Sequence, residues 1–189
     1  DIEASGQSLE APPGAGSEAT TGSEDDERLA SIRQRADRGD LRGAIDACET
    51  LCIEQPDNAS FAIELSRLHE AAGDGRTAFD IFRAFRVRQP DNLDVAAAFG
   101  QLLVGQRNFK GARPLIEMAL KDRPDDADLL LAMADICFAK MQYEEAGTYI
   151  EHAAKVAPSF HMKGRLAGNL VARCLYDEGL RLIEEMLKE

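Results

Sequence analysis

From residue 25 onward, apolar residues recur at helical spacing in stripes of about a dozen positions, each closed by a short polar break. The first cycle reads RLASIRQRADRGDLRGAIDACETLCIEQPDN: one stripe, a break at Gly39-Asp40, a second stripe, and a stop at Pro56. The cycle then returns. QPDN stands at 55–58 and again at 89–92, RPDD at 123–126 and APSF at 157–160, so the prolines at 56, 90, 124 and 158 are each 34 residues apart. With the proline set at position 32, the chain divides into units 25–58, 59–92, 93–126, 127–160 and a shorter 161–189.

The register predicts two helices per unit. Position 20 reads Ala44, Ala78, Ala112, Ala146 and Leu180, and position 8 reads Ile32, Ser66, Gly100, Ala134 and Gly168. Position 24 reads Cys48, Phe82, Ile116, Ile150 and Glu184. Small residues thus recur where two helices would approach closely, with larger apolar ones a helical turn away, the signature of a repeated helical hairpin. Gly39 and Gly73 fit the left-handed residue that ends a helix; Asn108 is expected to take that role in the third unit, and Met141-Gln142 matches less well. Each proline cannot continue the second helix and pushes its predecessor out of the α region. Asn58, Asn92 and Asp126 then offer oxygens to cap the next helix.

Composition agrees with helices. There is no Trp, and only 3 Tyr and 8 Phe, so the core must be mainly aliphatic and alanine-based. Residues 1–24 carry hardly any bulky apolar side chain and are expected to form a flexible acidic arm rich in Gly, Ser and Pro ahead of a folded region at 25–189. The net charge of −12 is largely a property of that end: residues 1–27 hold 8 acids and no base, whereas 28–189 hold 26 acids against 22 bases. This balance lacks the basic footprint of a nucleic-acid binder. No apolar run is long enough to span a membrane. The 4 cysteines are too few for a disulfide framework and favour a reducing compartment, the cytoplasm, with the periplasm as the alternative.

Stretches such as GDLRGAIDACETLCIEQPDN (39–58), with Gly39, Ala44, Leu51 and Pro56 at motif positions, resemble the second half of the tetratricopeptide repeat. The resemblance covers about 25–189; the last unit departs from it at Leu180 and Glu184, and the aromatic of position 4 is absent throughout. It implies an all-α, right-handed superhelix whose first helices line a concave groove for a peptide or helix of a partner. By resemblance, the groove residues are Arg33, Ile63, Arg67, Glu70, Ala97, Gln101, Val104, Leu131, Asp135, Phe138 and Asn169. The groove is then cationic in its first two units and apolar through the third and fourth. It would accept a carboxylate near Arg33 and Arg67 and an apolar side chain near Val104, Leu131 and Phe138. In the competing reading, both arginines pair internally with Asp37, Glu70 or Asp74. The Lys/Asn/Arg clamp of chaperone-tail-binding relatives is not matched by Leu29, Arg33, Glu64, Asp94 and Ala98, nor by the set one unit later.

The expected function is therefore a non-enzymatic protein-interaction scaffold without a cofactor. The alternatives are an adaptor or regulatory region of a larger enzyme or assembly complex, or a scaffold that self-associates through its terminal repeats. None of His69, His152 and His161 stands in a zinc-protease, phosphate-loop or nucleophile motif. Cys48, Cys52 and His69 make a zinc site conceivable, but these positions read first as apolar core.

Overall fold

The computed structural model describes residues 18–188, and among them ten helices and no strand are found. They form five consecutive hairpins: α1 (Glu18–Asp37) with α2 (Leu41–Glu54), α3 (Ala59–Ala71) with α4 (Gly75–Arg88), α5 (Leu93–Gly105) with α6 (Phe109–Asp122), α7 (Ala127–Ala139) with α8 (Tyr143–Val156), and α9 (Phe160–Ala172) with α10 (Tyr176–Met186). α1 begins at Glu18, inside the segment expected to be an arm. The remainder of that segment, residues 1–17, lies outside the described residues.

One residue at positive φ turns each hairpin. Gly39 (φ 90°) and Gly73 (φ 79°) do so at no steric cost, whereas Arg107 (φ 59°), Met141 (φ 60°) and Cys174 (φ 62°) carry side chains into the left-handed region. The third of these turns corrects the expectation for Asn108: Arg107 is the left-handed residue, and Asn108 instead accepts a hydrogen bond from the Gly111 amide at 3.2 Å, capping α6. The same amide-to-carbonyl bond closes each of these turns, for example from Asp74 N to His69 O and from Asn108 N to Leu103 O, both 2.8 Å. Asp40 and Asp74 cap α2 and α4. The Thr77 hydroxyl and amide both donate to Asp74 and hold its carboxyl below the ordinary range.

Between units, Asn58, Asn92 and Asp126 cap α3, α5 and α7 from the second residue after the proline. Ser159 caps α9 from the residue directly after Pro158. The last linker is therefore one residue shorter, and the whole fifth unit stands one place earlier than the 34-residue ruler puts it. This corrects the supposed departures. Gly179, which is buried, holds position 20 in place of Leu180; Ile183 holds position 24 in place of Glu184; Ala167, 3% exposed, holds position 8. The fifth unit obeys the pattern.

The core runs along the stack as three successive clusters. Leu29, Ile32, Cys48 and Phe61 lie in the first, Phe82, Phe85, Phe99, Ile116 and Met133 in the second, and Leu130, Ala153 and Met162 in the third. Rings reinforce the middle one, where Phe82 and Phe99 stack at 5.3 Å between centroids. Helices approach only their neighbours in the same unit or the next, so order propagates along one axis.

Candidate binding groove

The first helices α1, α3, α5 and α7 lie side by side, each packed on the one before it. Side chains at position 9 of one helix meet those at position 6 of the next. Arg33 of α1 donates from Nε (2.8 Å) and Nη2 (2.7 Å) to Oε2 of Glu64 on α3, a carboxylate that is itself buried. Its partner is none of Asp37, Glu70 or Asp74. One unit on, Arg67 faces Ala98; it is exposed, forms no ion pair among the described residues, and lines a pocket of about 150 Å³ with Glu70, Gln101 and Leu102. Glu70 does not pair with it and points at α5, with Oε1 3.7 Å from the place where a Gly105 Cβ would sit.

Of the remaining expected groove residues, Val104, Ile63 and Leu131 are half-buried on the flank of the core, and Phe138 is exposed. Ala97 is only 7% exposed and belongs to the core cluster around α5 rather than to an open surface. Asn169 is fully buried: its amide donates to Tyr143 O at 2.8 Å, beneath α8. Its assignment to the groove followed from the fixed ruler, and the shortened linker puts Gly168 at that position.

The groove's far half is apolar. Between α5 and α7 a cleft of about 480 Å³ is lined by Val104, Arg107, Phe109, Asp135 and Phe138. Between α7 and α9 a larger one, about 710 Å³, is lined by Phe138, Ile150, Phe160, Gly164, Gly168 and Met186, with Asp135, Arg165 and His161 as its polar members. This second cleft exists because α9 does not pack on α7. No Cα of α9 comes within 8 Å of one in α7, unlike the earlier pairs of first helices. The sequence accounts for the gap at one contact position, where Arg165 stands in the place α7 fills with Ala132. Arg165 spans the opening and pairs with Asp135, the same position-6 to position-9 couple as Glu64 with Arg33 but with the charges exchanged. Asp135 is one of the expected groove residues; its pairing with Arg165 was missed because the couple spans 30 residues and the last unit is out of register.

No group of three or more His, Cys, Asp or Glu side chains that could hold a metal is found among the described residues. Cys48 is buried with its thiol toward Phe61 O at 3.6 Å, and His69 sits between Glu49 and Asp74 at 4.0 and 3.8 Å. Burial pushes the Cys137 thiol up to about 11. All four cysteines are free thiols. No described helix is long and apolar enough to cross a membrane.

Five stacked hairpins with one open side formed by their first helices define an α-α superhelical repeat protein, and comparison with solved structures agrees. MamA residues 41 to end from Desulfovibrio magneticus RS-1 superposes with a TM-score of 0.74 at 14% identity, covering 86% of this chain and 93% of that one. TTC0263, a thermophilic TPR protein of Thermus thermophilus, gives 0.67 at 17% identity, covering 86% and 90%. A tetratricopeptide repeat protein from Parabacteroides merdae gives 0.70 at 13% identity, covering 86% and 64%. Curated protein sequences give no match. A tetratricopeptide repeat family model matches residues 103–174, from α5 into the turn before α10. The chain is thus similar to tetratricopeptide repeat proteins, in sequence over residues 103–174 and in fold across the superposed helices.

Proposed function

We propose that the concave side binds a polypeptide segment of a partner protein, and that the chain acts as a non-enzymatic interaction scaffold. Tetratricopeptide repeat proteins generally act in this way. The observation that carries the reading is the pair of apolar clefts meeting at Phe138, an aromatic 36% exposed beside surface that a partner would desolvate. Immobilised chain and its Phe138→Ala and Arg67→Glu variants, each verified as helical by circular dichroism, would be compared for the proteins they retain. Loss of the same retained protein in both variants supports the groove. Retention equal to that of the unmodified chain in both rejects it.

A second reading draws on the fifth unit, where Leu180, Ile183 and Leu187 are 56, 38 and 81% exposed. Stacking of terminal units would cover them, and light scattering across a concentration series tests for it.

A further inference from the structure

We infer that the segment held in the groove is an extended one carrying a carboxylate for Arg67 and two apolar side chains, the second seated in the α7–α9 cleft. The inference rests on the groove reading and specifies its ligand. Arg33 and Glu64 provide an internal template for the first contact, a carboxylate held by the Nε and Nη2 edge of a guanidinium at 2.8 and 2.7 Å. At Arg67 the corresponding position on the next helix is Ala98, so the edge is presented without its acid. A partner's Asp or Glu supplies what Glu64 supplies one unit earlier.

The two clefts share Asp135 and Phe138, so they adjoin along the groove as neighbouring chambers. An occupant of both must extend past Phe138, which a polypeptide does and a compact small molecule does not. In the larger chamber Asp135 and Arg165 cancel each other's charge, leaving Phe138, Ile150, Phe160 and Met186 to select an uncharged apolar group. Gly164 and Gly168 keep the α9 wall bare, and a Cβ added at Gly168 would meet nothing within 4 Å.

Geometry sets the spacing. Packed helices lie about 8–10 Å apart, and an extended chain advances about 3.3 Å per residue. The two chambers lie on either side of α7, and because α9 stands off from α7 they are at least about one helix spacing apart, or about three or more residues of extended chain. Arg67 on α3 lies roughly one and a half spacings from the first chamber, or about four residues. The motif is an acid, then an apolar residue about four positions on, then a second at least about three beyond it, in either chain direction.

A library of random twelve-residue peptides displayed on phage would be selected on the chain, and the enriched peptides synthesised for fluorescence anisotropy with the chain and three variants. Gly168→Leu fills the second chamber from an exposed helical site, and a leucine there favours the helix. Arg67→Glu reverses the charge at the first contact, and Phe138→Ala removes the wall common to both chambers. The inference expects the acid–apolar–apolar spacing among enriched peptides and at least about tenfold weaker binding to Gly168→Leu and to Arg67→Glu. Peptides that lose affinity with Phe138→Ala yet bind Gly168→Leu unchanged overturn the inference and leave the groove reading standing. No enrichment, or binding indifferent to Phe138→Ala, overturns both.

Discussion

Gly100 and Ile116 set the distance between α5 and α6. A methyl group added at Gly100 would lie 2.5 Å from Cδ1 and 2.9 Å from Cγ1 of Ile116, a side chain that is fully buried and cannot swing into solvent. Overpacking of this kind costs about 1–3 kcal/mol, while replacing a mid-helix glycine returns about 1 kcal/mol of helix propensity. Gly100→Ala should therefore destabilise the chain by about 1 kcal/mol. In an Ile116→Ala background both clashing atoms are gone. The same Gly100→Ala change then keeps its propensity gain, occupies part of the void, and should stabilise by about 1 kcal/mol. The sign reverses, with a coupling of about 2 kcal/mol, well above the few tenths expected of independent sites. Urea denaturation followed by circular dichroism on the four proteins measures it. An effect of equal sign and size in both backgrounds would refute the reasoning. The same trade of volume recurs along the stack between facing pairs: Ile32 with Cys48, Ser66 with Phe82, Gly100 with Ile116, Ala134 with Ile150.

The Arg33–Glu64 couple should respond asymmetrically. The Glu64 side chain is 7% exposed and that of Arg33 53%, so Arg33→Ala strands a carboxylate and should cost about 2 kcal/mol. Glu64→Ala releases a guanidinium to water and should cost about 1 kcal/mol; equal losses in chemical denaturation would contradict this. Asp74 tests the cap electrostatically. Its carboxyl titrates below the ordinary 3.8, so its contribution is present at neutral pH and is lost as pH falls through the folded value. Asp74→Asn keeps an acceptor oxygen that does not titrate. It should melt close to the unmodified chain at neutral pH but lose less on acidification, and parallel melting curves at both pH values would count against it.

The hairpins were legible because each depends on local signals: alternating stripes, glycine at two of the turns, and a proline with an Asn or Asp cap two residues later. The turns at Arg107, Met141 and Cys174 lack the glycine signal, since tertiary packing holds them in a conformation their side chains disfavour. The shortened linker at Ser159 was hidden because its proline keeps the ruler while the cap does not, and one residue of slip moved Asn169 into the expected groove and Gly179 out of the expected contact. Ala97 was misplaced for another reason: it is buried within the core cluster of the neighbouring helices. Arg33 and Arg67 look alike in sequence. Only the residue about 31 positions on, Glu64 for one and Ala98 for the other, separates a satisfied cation from an available one.

In a one-dimensional stack, each hairpin borrows its order from the neighbours it touches. The fifth leans mainly on α8 and reaches α7 through side chains such as Arg165, without the close backbone approach that α3, α5 and α7 each make to the first helix before them. A guest lodged beside Phe138 would bridge α7 and α9 and act as the missing mortar. Capture of a partner would thus be felt as slowed amide exchange along α9 and α10, including residues the guest never meets.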